Sequence, residues 1–416
     1  MPSAEAHALA WLYSLADQER GVGWNPRASV AEQWKLGRTR ALLDLAGAPD
    51  RAMRVVLVAG TKGKGSTSAM LASILGAQGF RVGLYTKPHL QSYRERVRVD
   101  GVAIAPPAFA AQVERMRTLV PRLPSDAGEP TTFEVTTALA LEYFHAERCA
   151  VAVVEVGLGG RLDATNALEP ELSLITPISY DHTAILGKTL GAIATEKAGI
   201  LRPGRPGLLA EQRPAALRAL RQACAATGAQ CHVVAPLAGA VPQPGDHQRQ
   251  NAALAIAAAR CLADVPEGTI DEGLRRLHWP GRFEIVGRVV LDGAHNGASA
   301  AALAATLRDY AAGRPITLVL GINRDKDARA VLAPLLPLAT RVYATRAHDS
   351  PRALDAAQLA GWCRRLGHAA EIRARLDDAL ASAKQHDGLV CVTGSLMLVG
   401  QARTVLGLPI AERLWS

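Results

Sequence analysis

A short apolar run over 54–59 breaks into Gly60-Thr61-Lys62-Gly63-Lys64-Gly65-Ser66-Thr67, after which apolar residues return at helical spacing over 68–79. Strand, glycine loop and helix in that order restrict both the fold and the ligand. Glycines let successive amide hydrogens turn inward, and the following helix adds positive potential at its N-terminus, so the natural guest is phosphate. Lys64 is placed to reach the outer phosphates, while Ser66 or Thr67 offers a hydroxyl to phosphate or Mg2+. The match to GxxxxGK[ST] is not strict, because Gly65 follows Lys64. The bland alternative is a turn that merely starts a helix.

The remaining chain supports a globular α/β reading. At 416 residues with 49% hydrophobic and 20% charged positions, it has room for two or three domains, and neither a fibre nor a disordered polymer fits. The six cysteines are widely spaced without a CxxC pair, so they signal no zinc or redox site and suit a reducing cytoplasm. No secretory signal or membrane span is expected, and no membrane partner. The formal charge of +9 is spread along the chain with no basic stripe interleaved with aromatics, so no nucleic-acid partner is expected. Arginine supplies 39 of the 47 cations, which makes the eight lysines informative; Lys62, Lys64, Lys87, Lys188 and Lys197 fall in segments bearing Gly, Pro or His.

Helices separated by a polar turn around 21–27 are expected in the first fifty residues. Strands are expected at 54–59, 81–85, 150–156 and 172–176, with helices at 107–120 and 131–147 and a hairpin through Gly101. A helix over 189–198 has Gly199 as its left-handed cap. The breaker-rich segment 278–281 suggests a boundary between domains at 1–278 and 279–416. The second half alternates again, with strands at 284–291, 317–320, 342–344 and 389–392, and helices at 298–310 and after Pro351. Alternation of this kind favours a doubly wound sheet in each part.

Further polar groups fall at strand ends. Glu155 closes the apolar run at 150–156, just before Gly157-Leu158-Gly159-Gly160-Arg161-Leu162-Asp163-Ala164-Thr165-Asn166, where a carboxylate beside a phosphate loop suits Mg2+. Asp181-His182 forms a second polar station; a core or capping histidine is the rival reading of His182. Lys197 either serves the site or stabilises the last turn of its helix through the dipole.

The chain resembles the folylpolyglutamate synthase and dihydrofolate synthase family within the Mur ligases. The resemblance rests on the loop at 60–66, Pro88-His89-Leu90 with Arg94-Glu95-Arg96, Phe133-Glu134, 155–166, and Asp181-His182 with Leu186-Gly187. It continues through 196–200, Trp279-Pro280-Gly281-Arg282, Asp292-Gly293-Ala294-His295-Asn296, Asp325-Lys326-Asp327 and Gly394-Ser395-Leu396. It implies a P-loop ATPase-like, mostly parallel sheet domain followed by a smaller Rossmann-like Mur ligase C-terminal domain, with catalysis in the cleft. It also implies an enzyme that uses ATP and Mg2+ to activate a carboxylate of dihydropteroate, folate or tetrahydrofolate as an acyl phosphate for attack by L-glutamate; a monomer is expected. A Mur ligase with another donor acid and a noncatalytic nucleotide-regulated binder are the alternatives.

By the same resemblance, Lys64, Glu155, His182 and Lys197 are catalytic, with Ser66, Glu155, His182 and Lys197, carbamylated by CO2, around the metals. Gly60, Thr61, Lys62, Gly63, Lys64, Gly65, Ser66 and Thr67 bind ATP together with Asn251, Arg282, Asp292 and His295. Asp163, His348, Arg352 and Ser395 fall on the substrate side; capping is the rival role for Asp163 and Asn251. Lys87 is a departure, standing where relatives carry a serine that commonly ligates the first magnesium. An ammonium cannot replace that oxygen, so Lys87 is expected to contact a phosphate or point away. Gly297 replaces a common proline and is expected to loosen the start of its helix.

Overall fold

The computed structural model describes residues 3–17, 36–348 and 350–415. The turn expected around 21–27 lies outside them. The described residues form two sheets in succession. The first contains β1 (Arg54–Ala59), β2 (Val82–Tyr85), β3 (Val97–Val99), β4 (Val102–Ala103), β5 (Val151–Glu155), β6 (Leu172–Ile175), β7 (Pro206–Ala210) and β8 (Gln230–Val234) in the order β4-β3-β2-β5-β1-β6-β7-β8. Strands β2, β5, β1, β6, β7 and β8 run parallel, while β3 and β4 make an antiparallel extension through the hairpin at Gly101.

The near-continuous apolar runs of β1 and β5 are explained by cover on both faces. Val55, Leu57 and Ala59 point into one core with Phe109, Phe144 and Val154; Val56 and Val58 point into the other with Met70, Leu254 and Val153. The period-two alternation of a strand thus serves two apolar layers.

The second sheet contains β9 (Glu284–Val286), β10 (Val289–Asp292), β11 (Ile316–Leu320), β12 (Arg341–Ala344), β13 (Glu371–Ile372) and β14 (Leu389–Thr393), ordered β13-β12-β11-β14-β10-β9. It is parallel except for β9, which forms a hairpin with β10. Val290, Leu318 and Leu320 face one layer, and Leu291, Val319 and Val392 the other.

Several local expectations change. The helix expected from residue 68 already starts at Lys64 (Lys64–Ala77), so the second half of the glycine loop is its first turn. Gly199 is right-handed at φ −60°. Glycine is needed there for close approach, since a Cβ would lie 2.5 Å from the Cα of Arg161. The helix Gly297–Ala311 starts firmly despite its glycine, because the Asn296 and Ser299 side chains form a reciprocal capping box. Cys224 and Cys231 form a disulfide from the end of the helix Pro214–Thr227 to the edge strand β8. The reading of all six cysteines as reduced thiols therefore fails for this pair. Their separation of seven residues spans a helix end, the left-handed Gly228 and a strand start, a pattern that no CxxC search detects.

The end of the described chain returns to the first sheet. Arg413 bridges Val102, Ala103 N–H donates to Glu412 O at 2.7 Å, and Leu414 and Trp415 are buried in the core beneath β1. Gly101, at φ +76°, has no room for a Cβ, which would lie 2.7 Å from the Trp415 ring. Arg94 ties Glu412 (2.6 Å), Glu5 (3.0 Å) and the carbonyl of Ile104 (2.8 Å) together. Leu414→Ala is expected to lower the unfolding free energy by about 2–4 kcal/mol, read from the urea midpoint; a loss below about 0.5 kcal/mol would show that the returning segment adds no stability.

Candidate active site

Parallel strands deliver their loops to one edge, and here β1, β5 and β6 deliver the glycine loop, Glu155 and the 176–182 segment to a cavity of ≈ 880 Å³. The opposite wall is built from the second sheet's loops at 292–295, 323–326 and 350–352. Among the described residues, five lysines line it: Lys62, Lys64, Lys87, Lys197 and Lys326. Arg96, Arg282 and Arg352 join them, against Asp17, Glu155, Asp181 and Asp292. Positive charge is in excess, as binding of anions requires. Lys188, singled out by its sequence context, does not line the cavity.

Two glycines set the course of the loop. A Cβ on Gly60 (φ +143°) would lie 1.8 Å from Thr176 Oγ1, and one on Gly63 (φ +83°) 2.1 Å from Asn251 Oδ1. The amides of Thr61 and Lys62 donate to the carbonyl of Pro177, so they face the β6 loop rather than a ligand. Gly63 caps the helix without a side-chain hydrogen bond. The first-turn amides at Lys64, Gly65 and Ser66 have no intrahelical acceptor and are the donors available to an anion. Thr67, by contrast, is fully buried and turns its hydroxyl toward Asn251 Oδ1 at 3.5 Å. It does not line the cavity.

Glu155 is 4% exposed, with Lys64 Nζ 3.8 Å from Oε1 and the Lys87 amide donating to Oε2 at 3.1 Å. Burial pushes its carboxyl up, opposed by Lys64 and Lys87. Burial also lowers Lys64, with Lys87 adding repulsion against the pull of Glu155. The Lys87 ammonium lies 5.2 Å from the centroid of the Phe133 ring, a cation–π distance.

Burial likewise lowers Lys62 to about 8 and Lys197 to about 7, in the latter with repulsion from Lys64. Lys197 is 4% exposed and has no ion-pair partner among the described residues. His182 lines the cavity from a left-handed backbone position at φ +50°. Among the described residues no three His, Cys, Asp or Glu side chains converge as a ready-made metal cage. The donors on hand, a buried carboxylate and the hydroxyl of Ser66 beside anion-binding amides, instead fit Mg2+ shared with phosphate oxygens.

Across the cleft, Asp292 accepts from the amides of Phe283 and Ala294, both at 2.8 Å, and burial raises its carboxyl above the ordinary value. His295 Nδ1 pairs with the carbonyl of Gly293 at 2.8 Å, and burial lowers the imidazole to about 3, which keeps it neutral. Asn251 donates to Gln248 Oε1 at 2.8 Å, and both line the cavity with Arg282 and Ser395. Arg352 also lines it, paired with Asp325 at 2.7 Å.

Two expected substrate residues lie outside the cavity lining. Asp163 accepts from Leu158 N–H (2.7 Å), Thr165 N–H (3.0 Å) and Thr165 O–H (2.6 Å), which makes it a cap for the glycine-rich turn. His348 is exposed, its amide bound to Gln401. The cavity adds Lys326, Gln248, His247 and Arg96, which the site reading of the sequence omitted. Lysine scarcity and its motif are usable signals for Lys326, and the motif at 94–96 is one for Arg96.

The Mur ligase middle domain model matches residues 58–210, and the Mur ligase glutamate ligase domain model matches 281–396. Among relatives, the probable bifunctional folylpolyglutamate synthase/dihydropteroate synthase of Halobacterium salinarum is 38% identical over 84% of this chain and 46% of its own length. The chain thus spans about half the length of that relative. The dihydrofolate synthase/folylpolyglutamate synthase of Bacillus subtilis is 34% identical over 88% of this chain and 94% of its own. The folylpolyglutamate synthase of Mycobacterium tuberculosis complexed with ADP superposes with a TM-score of 0.88 at 31% identity, covering 98% of this chain and 99% of that one. With the two Mur ligase models matched in order and a relative 34% identical over 88% of this chain and 94% of its own length, the chain belongs to the folylpolyglutamate synthase/dihydrofolate synthase family of the Mur ligase superfamily.

Proposed function

We propose that the chain is an ATP-dependent ligase that joins the amine of L-glutamate to a carboxylate of a folate, tetrahydrofolate or dihydropteroate through an acyl phosphate. The observation that carries this reading is the cationic cleft, which has a phosphate loop on one wall and groups of the glutamate ligase domain on the other. A carboxylate is a poor acyl donor because oxide is a poor leaving group, whereas the phosphate of an acyl phosphate leaves readily. The protein must therefore bring two anions together. Lys64 and the first-turn amides hold the phosphates, and the excess of lysine and arginine lowers the repulsion as a donor oxygen attacks the γ-phosphorus and ADP departs. The glutamate amine then attacks the acyl carbon and phosphate leaves. Walls contributed by both domains, taken as 1–278 and 279–416, exclude the water that would hydrolyse the intermediate.

Asn251 serves adenine, and Arg282, Asp292 and His295 serve the nucleotide from the second wall. Ser395 and Arg352 serve the acceptor side, the guanidinium being suited to a carboxylate. Glu155 and Ser66 are the groups to hold Mg2+ with the phosphates, and His182 with a carbamylated Lys197 is the second set. Bound magnesium supplies neutralisation of charge on the transferring phosphoryl group. An ammonium buried among other cations is electrostatically costly at Lys197, and carbamylation converts that charge to an anion.

Three outcomes are expected. Product masses from a matrix of dihydropteroate, tetrahydrofolate and other acids with ATP, Mg2+ and L-glutamate should show a glutamate increment on pteroate-containing acids. An increment only on another acid would move the chain to a different Mur ligase chemistry, and nucleotide binding without turnover would make it a binding protein. Lys64→Ala should lower kcat by about a thousandfold; unchanged ATP affinity and turnover would remove its phosphate role. Native mass measurement of active protein in bicarbonate should show one added CO2 that is missing in Lys197→Ala, and a free amine in the active metal-bound form would exclude the carbamate.

A further inference from the structure

Asp181 lies in the loop after β6, yet its carboxylate is divided between the two walls of the cleft. Its Oδ2 is 3.1 Å from Lys62 Nζ on the phosphate loop and accepts from Asn296 Nδ2 of the second domain at 2.8 Å. Its Oδ1 is 3.7 Å from Lys326 Nζ, also of the second domain, and accepts from the amide of His182 at 3.0 Å. The side chain is 12% exposed, as is that of Lys326, so water screens these contacts poorly.

The surrounding charges give the arrangement a direction. Lys62 and Lys326 come from opposite walls and repel each other. Asp181 lies between them, one oxygen shared between Lys62 and Asn296 and the other facing Lys326. Asn296 cannot turn away freely, because its Oδ1 caps the helix Gly297–Ala311 through the amide of Ser299 at 3.1 Å. The contact thus joins the loop after β6 to the capped start of a helix on the opposite wall.

We propose that Asp181 is a positioning residue that holds the walls of the ligand-free cleft together by bridging Lys62 to Asn296 and Lys326. It sets the distance between the phosphate loop and the second domain before nucleotide arrives. This contact is a property of the empty chain and exists whichever acid is joined. Hydrogen bonds of this length are lost with a small separation of the walls, so removing the carboxylate leaves two ammonium groups facing each other with nothing between them.

The test is hydrogen–deuterium exchange and small-angle scattering on the full chain without ligand, for Asp181→Asn, Lys326→Met and the double variant. Asp181→Asn should enlarge the radius of gyration and speed exchange about tenfold at 296–299 and 325–328 on the opposite wall, with an unchanged urea midpoint. The double variant should not exceed Asp181→Asn, since the carboxylate is one partner of the contact that Lys326→Met removes. Wild-type exchange on the opposite wall in Asp181→Asn, or a change confined to 176–187, would overturn the proposal, as would strictly additive effects. Should Asp181→Asn fail to fold, Asn296→Asp combined with Lys326→Met poses the same question from the second domain, since it keeps the cap on Ser299 but sets a carboxylate against Asp181: wild-type compactness and exchange there would equally overturn the proposal.

Discussion

Five lysines lining one cavity repel one another, and the cleft is organised by how that repulsion is contained. Three means are visible. Glu155 and Asp181 place carboxylates among the ammonium groups at 3.1–3.8 Å. The Phe133 ring offers its face to Lys87. Burial weakens the hold of Lys62, Lys64 and Lys197 on their protons. None of these cancels the excess of charge, and a chain with only these contacts would gain stability by replacing some lysines with neutral residues. Under the proposed ligase reading, anionic ligands complete the balance, and a cleft costly to the empty protein suits a reaction that must bring a triphosphate to a carboxylate.

The sheet scaffold makes that cluster possible. In a parallel sheet every strand ends at the same edge, so β1 (Arg54–Ala59) and, far from it in sequence, β5 (Val151–Glu155) and β6 (Leu172–Ile175) discharge their loops side by side. The strands are buried on both faces and rigid, and the loops inherit their position. Gly60 and Gly63 then allow the phosphate loop to lie against Thr176 and Asn251 at distances no side chain would tolerate.

Much of this was legible in the sequence because periodicity and breakers report local structure directly. The run Arg54–Ala59 is a strand to the residue, and Glu155 ends β5 as its position at the close of an apolar run implies. What stayed hidden was long-range. Asp163 sits in a motif that suggests substrate contact, but its oxygens are consumed by the amides of its own turn. Glu134, part of another motif, forms a capping box with Thr131 and a buried pair with Arg38, so that it serves structure. Motif membership does not separate these roles; hydrogen-bond accounting does. Lys326 lies far from the phosphate loop in sequence, and only the apposition of the sheets brings it to Asp181. The disulfide of Cys224 and Cys231 likewise depends on a strand turning back beside a helix end.

The return of Leu414 and Trp415 to the first sheet has a kinematic consequence. The chain leaves the first sheet near His278 and comes back near Leu414, and these crossings touch, with His278 N–H donating to the carbonyl of Leu414 at 2.7 Å. A body hung on a single strand of chain swivels about any axis. One hung on two neighbouring strands, bonded to each other, is held against twist at that crossing.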